Sequence, residues 1–321
     1  VTRPSSVPPP VTAVLDASSR WLPARLGEVE ELLRGAIDGY GETLGGDAAA
    51  TLAAGGKRLR PMLVLLCAGP ERAGEAVRAG AAIELVHMAT LVHDDVLDDA
   101  PLRRGLPTVA ATSGRQRAVA TGDLLFSRAF ALLADAGDDR SVALLADASV
   151  ALARGELAQR REAFDLGLDE ERYLSRCRLK TARLFECACL LGHPDEALRE
   201  FGAGIGLAFQ LLDDVLDVSG PPERTGKARG TDLLDGTVTL PLIEAAKRDP
   251  GIRKVDLPAL DAAAAEVLCD RIAATGALER VRARAIEMVA GAKQALERAE
   301  FSPEQRQLLT LVADGVVQRY S

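Results

Sequence analysis

Apolar residues recur at three- and four-residue spacing over positions 78–99, 119–135, 141–161, 197–218, 239–248 and 276–298. This is the period of a helix with one buried face, whereas runs alternating every second residue, the mark of a half-buried strand, are scarce. Ala, Leu, Glu and Arg, all strong helix formers, fill most of these segments. Breaker clusters separate them: Gly-Gly at 45–46 and again at 55–56, APLRRGLP at 100–107, GHPD at 192–195, SGPPERTGKARG at 219–230 and DPG at 249–251. No Pro/Ser-rich linker divides the middle of the chain. The pattern predicts an all-α fold, one large helical domain over 19–321, preceded by a flexible Pro-rich lead-in over 1–18. The apolar run PMLVLLCAG is among the longest and falls far short of the roughly 18 residues of a membrane span. Segment 250–321 is amphipathic with little motif content and is assigned no chemistry.

Composition narrows the function. With 321 residues, 48% hydrophobic and 27% charged, the chain has an ordinary globular balance. A net charge of −8 and aromatics at only 3% argue against a nucleic-acid binder, which needs a basic face and stacking rings. The five cysteines form no CxxC pair, so neither zinc nor a disulfide framework is expected. The N-terminal residues lack a charged-then-apolar signal pattern, and a cytoplasmic protein is expected. Of 39 basic residues only six are lysines, and three of these, Lys57, Lys180 and Lys227, stand beside Gly, Thr or Arg, the surroundings of a phosphate contact.

The chemistry is carried by an internal echo. DDVLD occurs twice, in LVHDDVLDD (91–99) and in LLDDVLDVS (211–219), each time where a long apolar helix ends before a Gly/Pro loop. Positions four apart share a helix face, about 5–6 Å between Cβ atoms, so Asp94 pairs with Asp98 and Asp213 with Asp217. Asp95, Asp99 and Asp214 flank them. Like charges at this spacing repel, and anions at a helix C-terminus oppose its dipole. A single copy reads most simply as a solvated acidic helix end. Two copies in otherwise apolar segments call for a compensating cation, and hard oxygen donors without a Cys/His set suit Mg²⁺. The alternating ligands and central Gly of a Ca²⁺ loop are missing. His93, next to Asp94, suits a hydrogen-bonding role better than metal ligation.

Basic clusters accompany the acidic ones. GGKRLRP (55–61) offers Lys57 and Arg60, one helical turn apart. LRRG offers Arg103 and Arg104 just after the first motif, LKTARLFE offers Lys180 and Thr181, and TGKARGTD offers Lys227 and Arg229 after the second. Each alone reads as solvated surface charge. Cations following both acidic motifs fit a diphosphate held between metals and positive side chains. The P-loop pattern GxxxxGK[ST] is absent, which disfavours nucleotide hydrolysis.

In order along residues 51–243, GGKRLRP, ELVHMATLVHDDVLDDAPLRRGLPT, Gly122-Asp123, KTARLFE, FQLLDDVLD and GKARGTDLLDGTVTLPL resemble the trans-isoprenyl diphosphate synthases, the polyprenyl synthetase family. The resemblance is greatest to the members making geranylgeranyl and longer polyprenyl diphosphates. It implies an isoprenoid-synthase helical bundle around a central cavity and a homodimer. It also implies Mg²⁺-dependent condensation of an allylic diphosphate primer with isopentenyl diphosphate, with three Mg²⁺ ions per site, for which Mn²⁺ can substitute. Asp94, Asp98 and Asp213 are then the foremost metal ligands, supported by Asp95, Asp214 and Asp217. Lys57, Arg60, His87 and Arg104 resemble the isopentenyl diphosphate contacts. Arg103, Lys180, Thr181, Gln210 and Lys227 resemble the contacts of the allylic diphosphate, and Lys180, Lys227 and Arg103 would act with the aspartates in ionisation.

The chain departs from the family at Thr237, within Gly236-Thr237-Val238-Thr239-Leu240-Pro241, where a lysine is usual; either Arg229 or Lys227 compensates, or allylic binding is weaker. Ala89 and Thr90, five and four residues before Asp94, are small where short-chain members tend to carry an aromatic at the fifth position. A product of geranylgeranyl length or longer is therefore expected, with Val86, Phe126, Phe130 and Leu132 as either a floor for the tail or plain core. A terpene cyclase and a non-catalytic subunit of a heteromeric synthase are the competing functions. The second DDxxD and the GGKRLRP segment disfavour the first, and retention of both acidic motifs disfavours the second.

Overall fold

The computed structural model describes residues 9–220 and 229–318, most of them in helices. The helices are α1 (Pro9–Ala17), α2 (Leu22–Ile37), α3 (Gly46–Ala53), α4 (Leu59–Leu97), α5 (Val109–Ser113), α6 (Arg115–Ala134), α7 (Asp139–Arg161), α8 (Glu170–Cys177), α9 (Arg183–Gly192) and α10 (Glu196–Ser219). They continue as α11 (Thr231–Leu234), α12 (Leu240–Arg248), α13 (Ala262–Ala274), α14 (Ala277–Leu296) and α15 (Pro303–Gln318). Every segment with a helical period in the sequence lies on one of these to within two residues at either end. Their buried faces share a contiguous core in which Tyr173, Phe185 and Phe201 are among the largest side chains wholly out of water.

Two expectations about the ends and breaks are corrected. Residues 9–17 are not a loose lead-in. They form α1, whose two opening prolines sit where a helix has no intrahelical use for their missing N–H, and Val14 is fully buried as α1 packs on α15. Gly45 and Gly46 likewise do not interrupt the chain, because a π-helical turn at Gly41–Gly45 runs directly into α3.

Helix α4 carries the first acidic motif and crosses the centre of the fold. It is broken once, at Gly69 (φ 78°, ψ 167°), with Pro70 opening its second limb. Carbonyls stranded by such a break need donors, and the Gln305 side-chain amide from α15 donates to both Leu66 O and Cys67 O at 2.9 Å.

Helix α10, carrying the second acidic motif, is clasped on two sides through glycines. A Cβ on Gly202 or Gly206 would come within 2.8 Å of the Glu186 or Ala182 Cα, and one on Gly204 within 2.9 Å of the Ala292 Cβ on α14. Close helix approach, rather than flexibility, accounts for these three glycines. Between α8 and α9 the chain makes another π-helical turn, Arg178–Ala182, which presents Lys180 and Thr181. Such widened turns are frequent at functional sites because they re-aim side chains within a helix.

Candidate active site

At the end of α4 the chain reverses through a two-strand hairpin, β1 (Leu102–Arg103) paired with β2 (Leu106–Pro107). Its two turn residues, Arg104 (φ 54°) and Gly105 (φ 77°), both take left-handed backbone, as a two-residue hairpin loop demands. This return brings Arg103 back onto the acidic motif, where its Nε donates to Asp95 Oδ1 at 2.6 Å. His93 stacks on Phe126 with ring centroids 5.8 Å apart and lies against the backbone of Gly122, where a Cβ would fall 2.1 Å from its Nε2. Its Nε2 is 3.3 Å from Val119 O and 3.5 Å from Asp123. The Gly122-Asp123 pair of the sequence is thus the seat of His93.

Asp94 is half-buried, and burial raises its pKa to about 6, against the pull of nearby Lys180 and with added push from Glu156 and Asp98. Lys180 therefore belongs to the field of the first motif. Its neighbour Thr181 leads to the second: Thr181 Oγ1 donates to Gln210 Oε1 at 2.7 Å, and Gln210 Nε2 donates to Asp214 Oδ1 at 2.8 Å. The π-helical turn thus has one acidic motif on each side. Tyr173 completes the chain of contacts, its buried hydroxyl donating to Asp214 Oδ2 at 2.6 Å. Desolvation, with Asp232 and Asp213 nearby, pushes Asp214 up to about 8 even though both its oxygens accept hydrogen bonds.

A basic cluster lies one turn and more up α4. His87 is held neutral, its pKa lowered by burial and then by Arg60, Arg104, Arg103 and Arg58 around it. Arg60 lies over the Phe185 ring, 4.9 Å from its centroid, and burial with the Arg104 charge lowers it to about 10 despite Glu84. Its Nε is buried with no hydrogen-bond partner among the described residues. Arg58, in left-handed backbone (φ 47°), is anchored by Glu30 at 2.5 Å and Glu84 at 2.9 Å. The Arg104 guanidinium stands beside Gly56, 3.3 Å from where a Cβ would be. Several guanidiniums crowding one neutral histidine repel each other, and an anion relieves that repulsion.

Four carboxylates expected as metal ligands have protein partners, Asp98 among them through Arg160. Asp95 is paired with Arg103 and Asp214 is bonded by Tyr173 and Gln210. Asp217 is buried, and its Oδ2 accepts the Asp232 N–H at 3.2 Å, fastening the start of α11. Asp94, Asp98 and Asp213 are the more open members, none of them fully buried. Lys57 does not share a helical turn with Arg60, because α4 starts only at Leu59; it is exposed on the preceding loop. Lys227 lies outside the described residues. Arg229, expected to compensate for Thr237, has its guanidinium donating to Val218 O and to Asp270 on α13.

The sequence did not flag one turn of α7. Glu156 Oε2 pairs with Lys180 at 2.5 Å, its Oε1 takes Arg160 Nε at 3.1 Å, and Arg160 Nη2 reaches Asp98 Oδ1 at 2.5 Å. Gln159, between them, accepts from Lys180 at 3.2 Å and donates to Thr237 Oγ1 at 3.4 Å. Their i, i+3, i+4 spacing on an amphipathic helix was visible, but partners about 20 to 80 residues away were not.

Among the described residues no three His, Cys, Asp or Glu side chains gather into a ready-made metal cage. The donors on offer are carboxylates with an adjoining cation cluster. That suits Mg²⁺, which binds by one or two carboxylates and completes its shell with water and substrate phosphate. It does not suit a metal needing a full protein cage.

The sequence matches the Polyprenyl synthetase family over residues 43–267. The chain belongs to that family. Among its relatives is the heptaprenyl diphosphate synthase component 2 of Geobacillus stearothermophilus, 39% identical over 83% of this chain and 87% of that protein. Another is the geranyl-diphosphate-specific all-trans-nonaprenyl-diphosphate synthase of Rhodobacter capsulatus, 39% identical over 80% and 84%. The fold matches that of the polyprenyl synthase from Caulobacter crescentus, solved with calcium and isoprenyl diphosphate, with a TM-score of 0.89, 32% identity and coverage of 99% and 100%. This synthase is accordingly an all-α prenyltransferase. No helix among its described residues is long and apolar enough to cross a membrane.

Proposed function

We propose that this prenyltransferase condenses an allylic diphosphate with isopentenyl diphosphate, head to tail, to an all-trans product of geranylgeranyl length or longer. The observation carrying this reading is the Lys180–Thr181 turn, in the field of Asp94 on one side and bonded through Gln210 to Asp214 on the other. Two acidic helix ends and a cation cluster within one site meet the need of a reaction with two diphosphates.

In this reading Asp94, Asp98 and Asp213 hold Mg²⁺, which when bound neutralises the departing diphosphate as a Lewis acid. Asp95, Asp214 and Asp217 position the ligands and their helix ends through the contacts above. Lys180 and Thr181 receive the allylic diphosphate, with Arg103 and Lys227 beside them. Gln210, spent at both ends of its amide on Thr181 and Asp214, acts as a strut. Arg60, Arg104, His87 and Lys57 receive isopentenyl diphosphate; neutral His87 donates a hydrogen bond without adding to the crowding of charge. Departure of the diphosphate from the allylic substrate leaves a carbocation, the isopentenyl double bond attacks it, and loss of a proton from the isopentenyl unit to the released diphosphate restores an allylic end. The packed helices exclude water that would quench the cation. Ala89, fully buried, and Thr90, whose hydroxyl is satisfied by His87 O at 2.8 Å, add no bulk near Asp94, which supports a longer product.

Incubation with Mg²⁺, farnesyl diphosphate and radiolabelled isopentenyl diphosphate, followed by sizing of the products, tests this. Consumption of isopentenyl diphosphate into products of twenty carbons or more supports it, and farnesyl diphosphate as the end product from shorter primers defeats the length assignment. A homodimer is proposed by the family's habit. The name "component 2" of one relative makes a second, unlike subunit the alternative that a sedimentation and mixing experiment distinguishes.

A further inference from the structure

Between residues 229 and 241 Arg229 is the only basic residue, and its guanidinium is held by Val218 O and Asp270. The side where the family's usual lysine would stand, at Thr237, therefore receives no cation from this stretch. What Thr237 does receive is the Gln159 amide from α7, and the next residue on α7 is Arg160. Arg160 is not an ordinary surface charge. It shares Glu156 with Lys180 and ends on Asp98 of the first acidic motif, so that Lys180, Glu156, Arg160 and Asp98 alternate in sign along one line of contacts.

We propose that Arg160 is a further diphosphate-binding residue of this enzyme, supplying from α7 the positive charge missing at position 237. In the structure its guanidinium is paired with Asp98. When a cation takes over that carboxylate, the planar fork of donors is released beside Lys180, where it meets diphosphate oxygens. An arginine suits this exchange because it presents several donors in fixed geometry and stays charged in either state. An exposed ion pair formed for stability alone would contribute little and would have no reason to end on the motif aspartate.

The inference rests on the proposed condensation, and the test separates the two. Wild type, Arg160→Gln, Arg160→Lys and the double variant Arg160→Gln/Thr237→Lys are compared in two assays: KM for each substrate, and calorimetric binding of inorganic pyrophosphate with Mg²⁺. Arg160→Gln is expected to weaken pyrophosphate binding and raise the allylic KM by about tenfold, the loss of one charge-assisted contact, while the isopentenyl KM stays within about twofold. Arg160→Lys recovers part of the loss, and the added Thr237→Lys recovers most of it. Unchanged pyrophosphate affinity in Arg160→Gln overturns the proposal. So does an equal loss for both substrates that Thr237→Lys does not recover, since that marks a structural effect. Failure of the wild type to consume isopentenyl diphosphate would defeat the condensation instead, and the pyrophosphate assay would still decide the role of Arg160.

Discussion

Individual side chains at this site are set by their surroundings more than by their type. Asp214 and Asp94 belong to the same repeated motif, yet full burial raises Asp214 to about 8 while Asp94 stays near 6. The raised Asp214 pKa has a definite stability consequence. The folded protein holds this proton where the unfolded chain, with an ordinary carboxylate pKa near 3.9, has released it. The contribution is thus complete below the unfolded value and lost as pH rises through about 8. In metal-free buffer the melting temperature is predicted to fall between about pH 6 and about pH 8, and Asp214→Asn should flatten that slope. A second test concerns Gly122, where a methyl would overlap the His93 ring. Gly122→Ala should destabilise by about 1–3 kcal/mol, as overpacking does, measurable by urea unfolding. The aspartate motifs were legible because i, i+4 spacing is a local property. The commitment of Asp95, Asp214 and Asp217 to Arg103, Tyr173 and Asp232 was not, because it depends on partners brought in by the fold.

At the scale of elements, the helical periods were readable throughout the core, since burying one face of a helix imposes that period on the sequence. The exceptions are physical too. Helix α1 was hidden by its prolines, which a helix accepts in its first turn, and the π-helical turn at Arg178–Ala182 leaves no distinct sequence period. Helix α10 illustrates how packing fixes the site. Gly206 lets it press against the turn that bears Lys180 and Thr181, as Gly202 does against α9, so Gly206→Val should separate α10 from that turn. The expected result is a fall in kcat of at least about tenfold, roughly 1.4 kcal/mol, together with a lower melting temperature. Where α4 descends from Asp94, Ala89→Phe is predicted to shorten the product, read by chromatography of the reaction with farnesyl diphosphate as primer.

For the whole molecule, the account requires that two acidic helix ends, contributed by segments more than 100 residues apart, work as a single site. The order of acidic and basic clusters along the chain made that site visible before any coordinates, and family membership fixes the reaction class. The contribution of α7 emerged only from tertiary contacts. The most direct measurement is Mg²⁺-dependent consumption of isopentenyl diphosphate in the presence of an allylic primer, compared among wild type, Asp94→Asn and Asp213→Asn. The account predicts elongated prenyl diphosphates from the wild type, none after chelation by EDTA, and a loss of at least about a hundredfold in either variant, on the scale of removing a group that stabilises the transition state. Full activity in one of the two variants, or turnover of the primer alone without uptake of isopentenyl diphosphate, would contradict it.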